Sequence, residues 1–212
     1  MDGIIKRIWI KALPILIFCS FGVHGQELLF TESDTLRGSL TPERSWWDVQ
    51  YYELDVEVLP EEHYLNGSVE IHFEALEYGQ RMQIDLRQPL QVDSVIFEDQ
   101  SLEIEREKHF FYIDLPQEIT AGDRATLSVF YSGNPRKAPN PPWDGGFIWS
   151  SDEEGDPWIA TACQGLGASV WWPNKDHLSD EPDSLRISVT VPEELVNVSN
   201  GRLEEVRSLS GN

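Results

Sequence analysis

The stretch CQGLGASVWWPNKDHLSDEPDS, residues 163–184, gathers the residue types that chemistry uses: a thiol, a hydroxyl, one imidazole and a run of carboxylates. A metal site here would combine His177 with Asp176, Asp180, Glu181 or Asp183. Zinc sites usually draw on several His or Cys ligands, and a single His among acids is a poor match. A calcium loop would need the D-x-[DN]-x-[DN]-G order with a late Glu, which is missing. His24, His63, His72 and His109 are none of them followed by Glu, so there is no H-E-x-x-H. Gly165-Leu166-Gly167 lacks the third glycine of a dinucleotide fingerprint, because Val170 holds that place and no βαβ pattern surrounds it. Ser169 or Cys163 as nucleophile would need a base and an orienting acid, and Ser169 is not in a G-x-S-x-G elbow.

Other capacities are plainer. Gly165, Gly167 and Ala168 allow close backbone approach, Trp171 and Trp172 offer large apolar area, and Pro173 ends strand pairing. Gln164 is the one neutral polar side chain with both donors and acceptors inside the tight part, among Gly165, Gly167 and Ala168. Asp180-Glu181-Pro182-Asp183 reads as a solvated turn whose carboxylates accept backbone N–H groups. The segment is either a purely structural corner or one that holds a polar ligand group.

The elements that would position it are strands. In YYELDVEV, Tyr52, Leu54, Val56 and Val58 alternate with Glu53, Asp55 and Glu57, the period of a half-buried strand. Pro60 to Tyr64 then turn into LNGSVEIHFEAL, which repeats the alternation and predicts a hairpin, with His72 facing outward. The period recurs over 82–86, 92–97, 102–104, 111–115, 125–133 and 185–192, and Val196 and Val198 begin a further strand. Strands about ten residues apart with turn residues between them predict an all-β fold, an antiparallel β-sandwich or saddle. Three prolines between Arg136 and Trp143 exclude a central strand, and Asp144-Gly145-Gly146 turns the chain into a hairpin arm from Phe147.

The first 25 residues carry Lys6 and Arg7, an apolar run from Ala12 to Val23 broken by Pro14, and a small residue at Gly25: a signal peptide for export, too short to be a retained anchor. Cys19 follows Phe18 rather than a small residue, which disfavours lipidation. Residues 26–45 form an extended lead-in and 46–212 one β domain, ending where a strand and turn are under way, as at a cut. A net charge of −21 repels nucleic acid and anionic membranes. Beyond residue 25 only Cys163 remains, so no internal disulfide can form there, and the core must rest on apolar packing, to which the Trp, Phe and Tyr beyond residue 25 contribute large areas. Asn66-Gly67-Ser68 and Asn197-Val198-Ser199 fit glycosylation sequons, relevant only in a glycosylating host.

From about Thr41 onward the chain resembles the N-terminal domain of the aminopeptidase N family of zinc metallopeptidases. The resemblance rests on an ordered set: Tyr52-Glu53-Leu54-Asp55-Val56, Gly67 to Phe73, Leu127 to Gly133 ending Tyr-Ser-Gly, Gly146-Phe147, Trp172-Pro173 and Asp180-Glu181-Pro182-Asp183. It implies a β saddle that packs on a thermolysin-like catalytic domain and closes one side of its cleft. A Gln or Glu nine residues before the aromatic-Pro proline helps bind the free amino terminus of a peptide substrate in that family. Gln164, nine before Pro173, takes that role. Ala162 stands where a second Gln is common, Ser169 lies near a frequent Arg, Asn174 replaces a frequent Cys, and Lys175 to Ser179 read as an insert. The family's G-x-M-E-N motif, H-E-x-x-H and distal Glu ligand lie downstream of the last residue here. The chain is therefore expected to hold no zinc ligand and no catalytic residue, the zinc belonging to the full-length parent and the catalytic domain being its partner. The alternative is a noncatalytic β-sandwich module binding peptide or carbohydrate, with Trp143 and Trp149 as exposed stacking rings.

Overall fold

The computed structural model describes residues 35 and 38–209; the signal peptide expected over 1–25 falls outside the described residues. Among those described, no helix is long and apolar enough to cross a membrane. The lead-in ends in one turn of helix, α1 (Pro42–Ser45), rather than running extended to Ser45, and it buries Arg44 completely. Among the described residues eleven strands follow: β1 (Trp47–Leu59), β2 (Tyr64–Ala75), β3 (Gly79–Asp85), β4 (Gln91–Phe97), β5 (Gln100–Ser101), β6 (Glu105–Glu107), β7 (Phe110–Ile119), β8 (Arg124–Gly133), β9 (Gly146–Ser151), β10 (Pro157–Ala162) and β11 (Ser184–Thr190).

Alternation in sequence becomes alternation in burial. Tyr52, Leu54, Val56 and Val58 point inward from β1 while Asp55 between them is exposed. β2 returns antiparallel through a turn closed by the His63 amide donating to the Pro60 carbonyl, 3.3 Å. The main sheet runs β11-β1-β2-β8-β4-β5, and all its pairs are antiparallel except β1 with β11, which is parallel. A second sheet, β3-β7-β6, packs over it, so that Leu54, Ile71, Phe73 and Val129 of one layer meet Met82, Ile84, Phe111 and Ile113 of the other. This is the expected all-β sandwich, and each such buried side chain contributes about 1.5–3 kcal/mol. Trp46 and Trp47 both set their rings edge-on to Phe73, with centroids 5.8 Å apart.

Two expectations change. Residues 102–104 are not a strand, because β5 belongs to the main sheet and β6 to the second, so these residues make the crossing between layers. Val196 and Val198 begin no strand among the described residues; both lie exposed, for apolar alternation cannot form a ladder without an opposing strand.

The predicted arm is the two-stranded β9–β10 hairpin, its register running from Gly146 opposite Ala162 to Ser151 opposite Pro157. Phe147, with Trp149 and Ile159, packs on Val56, Val58 and Leu65 as a small second core. Its root is tied by Arg136, which donates to the Gly145 carbonyl and to Asp144 at 2.7 Å. Gly146 has φ of 140°, and a Cβ there would lie 2.3 Å from the Arg136 carbonyl oxygen.

Candidate functional site

Where β10 ends, the chain makes a tight turn. The Cys163 carbonyl accepts from the amides of Leu166, 3.1 Å, and Gly167, 2.8 Å, and Gln164 stands exposed on the outside of the loop so formed. Its near end is fixed by the β9–β10 ladder through Ala162. Its far end is fixed by Gly167, at φ of 77°, which lies so close to Asp176 that a Cβ would fall 1.9 Å from a carboxylate oxygen. No side chain larger than glycine fits between the turn and Asp176.

Asp176 in turn joins the corner to the sandwich. Its carboxylate accepts from the Ser169 hydroxyl at 2.6 Å, and its amide donates to the Asp85 carboxylate at 3.0 Å. Asp85, the last residue of β3, is buried against the Arg44 guanidinium. It also exchanges backbone hydrogen bonds with Asn174, 2.8 and 3.0 Å, while the Arg87 amide donates to the Ser169 carbonyl, 2.7 Å. A second buried pair lies beside this one. The Lys175 ammonium meets Asp180 at 2.5 Å with both side chains almost fully covered, donates to the Trp47 carbonyl, and sits 4.6 Å from the centre of the Trp47 ring. Asp180 also accepts from the Val49 amide, 3.2 Å, and the Tyr52 hydroxyl accepts from the Lys175 amide, 3.0 Å. Trp172 packs edge-on to Tyr52, centroids 4.9 Å apart, and Trp171 lies against Trp172 at 6.2 Å.

Burial dominates the electrostatics. It lowers the Lys175 ammonium from its ordinary value, against the opposing pull of Asp180. It raises Asp85, against the pull of Arg44, and raises the Cys163 thiol. Lys175 and Asp85 are each held in a buried ion pair.

The acidic stretch of 176–183 is solvated only in part, and the expected acceptance of a backbone N–H is made by Asp180 from Val49. Asp176 and Asp180 are structural acceptors, and only the exposed Glu181 and Asp183 face water. His177 is engaged at both nitrogens: Nδ1 accepts from the Ser179 amide, 3.1 Å, which leaves Nε2 as the donor to the Gly38 carbonyl, 3.3 Å. A lone imidazole so engaged, beside carboxylates that already accept protein donors, does not fit a zinc centre. Among the described residues, three carboxylates do come within ligand distance of one another, Asp152, Glu154 and Asp156 at the tip of the β9–β10 hairpin, and all are exposed. Asp152 there accepts from the amides of Glu154, 2.9 Å, and Asp156, 3.0 Å, as a turn residue does. Ser169 donates to an acid, with no histidine as base. His72 is a surface residue whose Nδ1 lies 3.0 Å from the Thr126 hydroxyl.

The stacking rings are redistributed. Trp149 is covered by His63, nearly parallel at 4.9 Å, and by Phe147 at 4.8 Å, so it is not an open platform. Trp143 is exposed as expected, and so is Trp158, which no local pattern marks. The buried pairing of Arg44 with Asp85 has no signal in the local sequence. Met82 and Ile84 of β3 alternate with Gln83 and Asp85, and the structure buries both sets, so the period-two signal could name only one.

Three comparisons bear on these features. The family model for the peptidase M1 N-terminal domain matches residues 49–212. Among solved structures, a variant of a two-domain M1 zinc metallopeptidase bound to L-arginine is 27% identical with a TM-score of 0.57, over 71% of this chain and 33% of that one. An M1 zinc metallopeptidase from Deinococcus radiodurans is 24% identical with a TM-score of 0.58, over 74% and 35%. Yeast LTA4 hydrolase in complex with bestatin shares the fold at 18% identity and a TM-score of 0.58, over 77% and 27%. The chain thus spans about a third or less of the length of these proteins. No curated protein matches it in sequence.

Proposed function

The chain belongs to the peptidase M1 N-terminal domain family, and on that premise we propose that residues 46–212 form one wall of the substrate cleft of an exported zinc aminopeptidase. The observation that carries this reading is Gln164: an exposed side chain with an amide carbonyl, on a turn whose backbone is fixed at both ends. A rigid mount matters because binding loses less free energy when the group need not be ordered on contact. Gln164 accepts a hydrogen bond from the free ammonium of a peptide substrate, which measures the distance from the amino end to the scissile bond. The zinc and its ligands are supplied by a catalytic domain on the same polypeptide, since no grouping in this corner fits the metal. Residues 1–25 direct export and are removed.

Expressing the reading frame continued past residue 212 tests this directly. Hydrolysis of amino-acid arylamides that a chelator abolishes supports it, and Gln164→Ala should raise KM about tenfold, the worth of one hydrogen bond to a charged group. An unchanged kcat/KM would remove Gln164 from the role. A second reading, a noncatalytic module that binds sugar or peptide, draws on the exposed Trp143 and Trp158. Retention of the 212-residue chain on immobilised glycans, lost in Trp143→Ala or Trp158→Ala, would favour that reading instead.

A further inference from the structure

We propose that Asp176 is a positioning residue for substrate recognition: its carboxylate sets where Gln164 stands, without touching substrate itself. This rests on the cleft role proposed for Gln164 and extends it to the acid behind the turn. Contacts with Ser169, Gly167 and Asp85 converge on Asp176. The carboxylate takes the Ser169 hydroxyl at 2.6 Å and lies within reach of the Ser169 amide at 3.4 Å. It is the surface on which Gly167 rests, where a Cβ would come within 2.3 Å of its carboxyl carbon as well as its oxygens. Its own amide is anchored on Asp85, which Arg44 holds in the core.

The consequence follows from where those contacts sit in the chain. Gly167 closes the turn by donating to the Cys163 carbonyl, so displacing Gly167 displaces the peptide that carries Gln164. The other anchor of the turn, the pairing of Ala162 with Gly146, fixes only the strand end. Between these anchors the depth to which Gly167 settles helps set the path of residues 163–167, and Asp176 is the floor on which it settles. Asp176 faces the underside of the turn and is already bonded to Ser169, whereas Gln164 is exposed on the outside. Asp176 therefore acts through geometry, and removing its charge while keeping its shape should matter only as far as the turn moves.

Arylamide kinetics on the full polypeptide test this with Asp176→Asn, Gln164→Ala and the double variant. Asp176→Asn, which weakens the bond to Ser169 and relaxes the seat of Gly167, should raise KM about three- to tenfold with kcat nearly unchanged, the effect of weakening one or two hydrogen bonds. Ser169→Ala, which leaves the carboxylate in place, should shift KM the same way by less, and stands in if Asp176→Asn does not fold. The decisive readout is the double variant. If Asp176 works through Gln164, adding Asp176→Asn, or Ser169→Ala, to Gln164→Ala raises KM no further. If the two effects multiply, Asp176 acts on substrate by its charge or on the domain as a whole, and the positioning role is overturned. If Gln164→Ala raises KM while Asp176→Asn and Ser169→Ala leave it unchanged, the positioning role alone falls. If Gln164→Ala itself changes nothing, the recognition role of Gln164 falls and takes the positioning role with it.

Discussion

The two halves of residues 163–183 use polar chemistry in opposite ways. In the first, residues 163–167, the backbone is bonded to itself, Gly167 is packed against Asp176, and the polar side chain of Gln164 is turned outward. In the second, Lys175 and Asp180 are drawn inside, paired with each other and bonded to the β1 backbone at Trp47 and Val49. The half that carries the charge commits Lys175 and Asp180 to the protein itself, and leaves only Glu181 and Asp183 to water. Buried ions whose hydrogen-bonding positions are filled by protein are fasteners, and the charges that make a sequence look catalytic can serve to hold a corner against a sheet.

That contrast predicts a graded set of effects. The largest should come from the buried pair: Asp180→Ala leaves the Lys175 ammonium covered and unpaired, and should destabilise the chain by about 3–5 kcal/mol, read as a lowered urea midpoint. A loss below about 1 kcal/mol would show that the pair is no fastener. Gly167→Ala should cost about 1–3 kcal/mol, from a side chain at φ of 77° combined with the clash on Asp176. If that variant melts like the parent, the turn does not rest where the structure puts it.

A pH experiment reads the same corner more gently. Burial raises the Cys163 thiol, so the reactive thiolate forms only above the range of a free cysteine. The raised value also fixes the sign of the linkage: the thiol's contribution to stability is full below the ordinary cysteine pKa and is lost as pH rises through the folded value. Alkylation by iodoacetamide at pH 8 should run several-fold slower in the folded chain than in urea, with its midpoint displaced to higher pH. Equal rates would mean an open corner. The smallest effect belongs to the outward half: Gln164→Ala should change stability by less than about 0.5 kcal/mol, as exposed substitutions do. A large loss would make Gln164 a structural residue and blur the division between the halves.

Much of this was legible in the chain because β1, β2, β7 and β8 each bury one face, and a strand with one buried face must alternate in sequence. The signal failed where both faces are covered, as in β3, whose Gln83 and Asp85 look solvent-facing beside Met82 and Ile84. It failed again at residues 102–104, which alternate like a strand but pass between sheets. Gln164 could be named from its place nine residues before Pro173 only by family resemblance. Nothing local in the spacing distinguishes it from the carboxylates nearby.

By itself the sequence determined the fold class, the hairpin arm and the glycine corner, since period, proline and glycine act over a few residues. Only the tertiary structure decided which charges are fasteners. Arg44 and Asp85 are 41 positions apart, and the Asp180 carboxylate reaches Val49 across 131. Burial and pairing at such separations are properties of the closed sandwich, and no local pattern of residues encodes them.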